Sequence, residues 1–114
     1  MMLNWNEYRT QIGAAVAEIG KISPETVRGY VQLSDAGTKT GHLDAKTREL
    51  IALAVAVTRQ CDGCITVHTD AAVKHGATRE EIMEALGVAI AMNAGAALVY
   101  SARVMDAYSA RTAV

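Results

Sequence analysis

Cys61 and Cys64 are the only cysteines in the chain, separated by Asp62 and Gly63, and His68 follows four residues later. If a helix begins here, positions i, i+3 and i+7 lie along one face, so Cys61, Cys64 and His68 form a single stripe. Thiolate is the reactive form of cysteine, and it is favoured at a helix N-terminus or beside a protonated imidazole. Cys61 is expected nearest the helix start, in the field of the unpaired N–H groups. Cys64 has His68 one turn on, within reach for proton transfer. Once one sulfur is oxidised to a sulfenic acid, the other can close a disulfide. The implied chemistry is peroxide reduction or thiol–disulfide exchange. In this reading Cys64 attacks with help from His68, while Cys61 resolves and faces the reductant.

Glu49 is the expected fourth member. If the helix ending near Gln60 folds back antiparallel on the one that starts there, Glu49 lies about 16 Å and His68 about 12 Å from the bend, at roughly 1.5 Å per residue. The two can then meet side by side. Glu49 shares a face with Leu53 and Val57, so half-burial is expected, and a carboxylate there orients the imidazole and raises its basicity. Plainer readings exist for each residue: two buried cysteines as small apolar fillers, His68 as an ordinary core or surface histidine, Glu49 as an exposed first-turn acid paired with Arg48 or Lys46. A zinc site from two Cys, one His and one Glu is a sharper rival. Three ligands crowded within eight residues of one helix make tetrahedral closure awkward. His42 and His75 read as loop and helix-end residues, and Met83, Met92 and Met105 as core fillers.

These side chains need helices to hold them, and the pattern supplies only helices. Asn4 with Glu7 starts a first helix that carries Tyr8, Ile12, Val16 and Ile19 on one side and closes near Gly20. Ser23-Pro24-Glu25 opens a second, with Val27, Tyr30, Val31 and Leu33 as its apolar side, fading near Asp35-Ala36-Gly37. Thr38 to Leu43 reads as a polar connection. Asp44 caps a third helix that is polar in its first turns and apolar all round from Leu50 to Val57, the pattern of a helix entering a core or an interface. Arg59-Gln60 ends it. The dithiol helix runs to Lys74-His75 and stops at Gly76. Thr78 and Glu81 form a capping box, with Ile82, Leu86, Ala89 and Ile90 inward. A break is expected near Asn93-Ala94-Gly95, before a last helix to about Ser109 with Leu98, Val99 and Met105. With no alternating run and one proline, the expectation is an all-α fold of about six helices, one domain over residues 1–114.

Composition sets the remaining bounds. The chain has 114 residues, with 11 basic and 12 acidic side chains, no Phe and one Trp, and 51% of its residues are apolar. That length suits one core. Alanine fills much of it and buries little area per residue, so subunit association is the expected remedy. No basic block points to nucleic acid or to an anionic membrane. Residues 85–102 are uncharged over 18 positions, near the lower limit for a membrane span. Asn93, two glycines and many alanines make them weak for insertion, and two buried helix segments are expected instead. Close-spaced cysteines after an amino terminus without a signal-like pattern point to the cytoplasm.

Glu49, eleven residues, Cys61-x-x-Cys64 and then His68 resemble the signature of the alkylhydroperoxidase AhpD-like branch of the carboxymuconolactone decarboxylase family. The flanks Leu43-Asp44-Ala45-Lys46-Thr47-Arg48-Glu49-Leu50 and His75-Gly76-Ala77-Thr78-Arg79-Glu80-Glu81-Ile82 agree, as does Asn93-Ala94-Gly95-Ala96-Ala97-Leu98-Val99-Tyr100. The likeness covers roughly residues 22 to 108. It implies an all-α bundle assembled as a homotrimer or homohexamer, and peroxide reduction without a bound metal or flavin. Electrons would come from an external dithiol reductant, such as a lipoylated partner, or pass to a peroxiredoxin. It further implies that Glu49, Cys61, Cys64 and His68 form a proton relay. One departure is visible: Asp62-Gly63 stand between the cysteines, where AhpD has a histidine before the second one. Two other readings stay open: a lactone-acid decarboxylase, which needs no dithiol, and a redox-sensing oligomer without turnover.

Overall fold

In the computed structural model, which describes residues 1–113, the chain forms six helices and no strand among those residues. They are α1 (Trp5–Ile22), α2 (Pro24–Thr40), α3 (Ala45–Arg59), α4 (Asp62–Lys74), α5 (Arg79–Tyr100) and α6 (Ala102–Thr112). The all-α expectation holds, and most helix ends fall where their capping residues predict. Asn4 accepts from the Glu7 N–H and Asp44 from the Thr47 N–H. Thr78 and Glu81 make both bonds of the capping box. Each satisfies an N–H that the first helical turn leaves unpaired.

Two boundaries differ from expectation. α2 continues through Thr38–Thr40 and ends at Gly41, whose φ of 67° makes the left-handed cap. The threonine hydroxyls donate to carbonyls three residues back, Thr38 to Asp35 and Thr40 to Gly37, so the polar run extends the helix instead of leaving it. The break expected at Asn93-Ala94-Gly95 is absent. Asn93 Nδ2 donates to the Ala89 carbonyl one turn back and to Thr58 Oγ1 of α3, so its amide supports the helix. The junction lies at Ser101, where φ −61° and ψ −23° remain right-handed helical. α5 and α6 therefore form nearly one rod of 34 residues.

Packing is built around α3, which lies against both α4 and α5, while α1 lies against α2 and α4. Leu53 and Ala56 of α3, Ala72 of α4 and Ala89 of α5 are the buried apolar residues. Thr66 is buried as well, and its hydroxyl donates to the Trp5 carbonyl at 2.9 Å, fixing the start of α1 to the middle of α4. Lys46 and Glu81 pair at 2.6 Å and join the starts of α3 and α5. The core is thus small and mostly alanine. Ile90, expected inward, is exposed, and so are Met83, Met92 and Met105, expected as fillers. Residues 85–102 are not two buried segments but one mainly exposed helix. They are as apolar as expected, but the rest of the chain does not cover them.

Candidate active site

Gln60 makes the turn that creates the site. Its φ of 53° is left-handed, and its N–H together with that of Cys61 caps the last carbonyls of α3 at Ala56 and Val57. The chain reverses sharply there, so α4 runs back along α3. Cys61 is then the N-cap of α4, with extended dihedrals, and the Cys64 N–H donates to Cys61 Sγ at 3.2 Å. Sulfur takes the place that an Asn, Ser or Asp oxygen usually fills. A thiolate at this position would sit against the exposed N–H groups and the positive end of the helix.

The two sulfurs are joined in a disulfide, with Cα atoms 5.3 Å apart. The structure therefore represents the oxidised state. Further from the turn, the antiparallel course of α3 and α4 brings Glu49 and His68 together. His68 Nδ1 lies 2.7 Å from Glu49 Oε2, and the side chains are 27% and 21% exposed. With the carboxylate ionised, Nδ1–H donates and the ring is held as the tautomer whose Nε2 carries a free lone pair. That is the form able to take a proton from a thiol. The plain reading of Glu49 as an exposed acid paired with Arg48 or Lys46 fails: Lys46 reaches Glu81, and Arg48 donates to the Leu43 carbonyl.

Cys61, Cys64 and His68 all line one groove of about 550 Å³ between α1, α2 and α4. Its walls are Ile12, Val16 and Ile19 from α1 with Val27 and Tyr30 from α2. The first helix's apolar stripe, legible in the sequence, thus faces the dithiol. The contribution of α2 is not legible there, because nothing in its own pattern says which neighbour it will face. Gly63 lies so close to Ile12 that a Cβ there would sit 3.7 Å from that side chain, in ordinary contact. Glu49 stands behind His68 and does not line the groove. Among the described residues, no three His, Cys, Asp or Glu side chains converge as metal ligands would. His42 lies in the bend after α2, and His75 caps α4. Neither joins the site.

Known proteins resemble this chain. The family model described as carboxymuconolactone decarboxylase family matches residues 24–107. An uncharacterised protein of Haemophilus influenzae is 47% identical over 99% of this chain and all of its own length. The uncharacterised protein 4 in the cox locus of Paracoccus denitrificans is 41% identical over 77% of this chain and 79% of its own. Among solved structures, apo-lpg0406 of Legionella pneumophila, a carboxymuconolactone decarboxylase family protein, superposes with a TM-score of 0.74 at 43% identity, covering 92% of this chain and 94% of that one.

Proposed function

The chain belongs to the carboxymuconolactone decarboxylase family, and we propose that it acts within that family as a dithiol peroxidase and thiol–disulfide oxidoreductase of the AhpD-like kind. One observation carries the reading: a bonded Cys61–Cys64 pair opens into the same groove as an imidazole already held by a carboxylate. A decarboxylase acting on a lactone acid has no use for the dithiol.

In the reduced protein, His68 Nε2 takes the Cys64 proton while Glu49 holds Nδ1–H and offsets the charge that develops on the ring. The Cys64 thiolate attacks the distal oxygen of a hydroperoxide. The O–O bond breaks, the sulfur becomes a sulfenic acid, and the alkoxide leaves as an alcohol with the proton from His68. Cys61 then attacks the sulfenic sulfur. A disulfide forms and water departs. An external dithiol, of which a lipoyl group is one chemical type, reduces the disulfide and is itself oxidised to its own disulfide. No bound cofactor takes part in this cycle. A reducing compartment such as the cytoplasm suits it, and the apolar surfaces left open by the single chain are consistent with self-association, for which the family resemblance implies a homotrimer or homohexamer.

The direct test is peroxide consumption with excess dithiol. Cys64→Ser should abolish turnover while leaving the helical spectrum unchanged; full consumption by that variant would rule out Cys64 as the attacking thiol. Gel filtration of reduced and oxidised protein checks the sensor alternative. A change of assembly state with negligible peroxide loss would favour sensing over turnover.

A further inference from the structure

Two large apolar surfaces of this chain are left uncovered, and they differ in shape. One is concave: the groove over the disulfide, where Ile19 and Tyr30 are half exposed or more and Val16 is partly exposed. The other is convex: the α5–α6 rod, about 51 Å long at roughly 1.5 Å per residue. On the rod Val88, Met92, Leu98, Val99, Val104 and Met105 are all more than half exposed. Val88, Met92, Leu98, Val99 and Met105 fall within one side of the rod at 100° per residue, so a second chain lying along that side would cover them together. The molecule is correspondingly extended. Its radius of gyration is 19.0 Å, where a compact chain of this length has about 13 Å. Monomeric proteins rarely leave a row of large apolar side chains like this one in water.

We propose that the α5–α6 rod of a second copy of this chain lies in the groove above Cys61 and Cys64, so that each redox site is completed by two chains. The proposal rests on the oligomeric reading under the proposed function and adds which surfaces meet and what their meeting does. The rod cannot reach its own groove, because α5 is anchored on the far side of α3 by the Lys46–Glu81 pair and the Asn93–Thr58 hydrogen bond. A contact between unlike surfaces is heterologous, and it builds a closed ring when the rotation it repeats closes and an open filament when it does not. A bilayer is the other environment that would take the rod. Entry would have to carry α3 along or break those same links, and the uncharged stretch is short and rich in alanine. Covering the groove removes bulk water from beside the sulfurs and His68 and leaves the ends of the groove as the path for peroxide. The reduced cysteines are therefore shielded in the assembly.

The test uses the full chain in reduced form. Light scattering should give a multimer for the wild type. Leu98 has few partners in its own chain, so Leu98→Glu should give a folded monomer, and its cysteines should react with iodoacetamide on the order of tenfold faster. Ile19→Glu, in the groove wall, should dissociate the assembly equally. A benzophenone side chain at position 98, in a mixture of isotopically light and heavy protein, should attach to residues 10–28 of the other copy. A wild-type monomer, an intact assembly in either variant, unchanged alkylation in the monomer, attachment within residues 79–111, or flotation with liposomes in place of self-association would each overturn the proposal. None of these readings needs peroxide turnover. Loss of the peroxidase reading would appear as a silent activity assay with assembly and shielding intact.

Discussion

His68 is held by a carboxylate that approaches from another helix, and in the proposed cycle this pairing is what activates the thiol. A histidine four residues after a cysteine is common on helix surfaces and by itself promises no chemistry. The Glu49 contact at 2.7 Å fixes which nitrogen carries the proton and leaves the other free to accept one. General-base assistance is worth about 10² to 10⁴ in rate. Accordingly His68→Gln should lower peroxide turnover by about 10² or more, with the helical content unchanged. Glu49→Gln should lower it by at least as much, since an amide N–H donating to Nδ1 leaves the proton on Nε2 and cannot offset the ring's charge. Equal and full activity in both variants, measured by peroxide consumption under excess dithiol, would show the pair to be structural. Cys61, Cys64, His68 and Glu49 are legible as candidates from type and spacing, and helical rise puts Glu49 near His68 once the chain reverses at Gln60. Tyr30 and Val27 are not legible as groove walls. The amphipathic pattern of a helix names its apolar face, and only packing says what that face meets.

The elements are joined by a few well-defined links, and each can be cut. Leu53 is 3% exposed in the middle of α3, so Leu53→Ala should cost about 2–5 kcal/mol in chemical denaturation, the range for a buried leucine. Thr66→Val removes the hydroxyl bond from α4 to the Trp5 carbonyl and should cost about 1 kcal/mol. The Lys46–Glu81 link carries a pH signature. The Lys46 ammonium, then the Thr78 N–H, hold the Glu81 carboxyl below its ordinary value of 4.5. The folded state thus binds that proton less readily than the unfolded chain does. The stabilisation is complete above the ordinary glutamate value and is lost as pH falls through the lowered one. Glu81 raises the Lys46 pKa above 10.5, so that side of the pair fails only as pH rises through the raised value. Melting followed over decreasing pH should show a smaller acid-induced fall in Tm for Glu81→Gln than for the wild type. Caps are the most readable part of the sequence, because a cap is a local arrangement of a few residues. The expected break at Asn93-Ala94-Gly95 fails for the opposite reason. Asn93 takes part of its hydrogen bonding from Thr58, 35 positions earlier, and no local rule contains that partner.

At the scale of the whole molecule, the chain folds as a small alanine-rich core with a long apolar rod attached. The fold class can be read from periodicity, and the family from the spacing of four residues with their flanks. Where the apolar residues of α5 and α6 go cannot be read in the same way. A sequence records that Val88, Met92 and Leu98 avoid water, and it does not record whether the surface that covers them belongs to the same chain. Sedimentation equilibrium should accordingly find a species of several chains at micromolar concentration, and dilution should dissociate it and lower the melting temperature together. A melting temperature independent of concentration would mean that the single chain is sufficient.

Cys61 and Cys64 must exchange electrons with a peroxide as a pair, or the proposed cycle does not exist. The most direct measurement is intact mass, with free thiols counted, before and after one equivalent of organic hydroperoxide is added to the fully reduced protein. The predicted result is loss of both thiols, a decrease of about 2 Da and no retained oxygen, reversed by an added dithiol. Two free thiols after exposure, or a stable gain of about 16 Da with one thiol left, would contradict it.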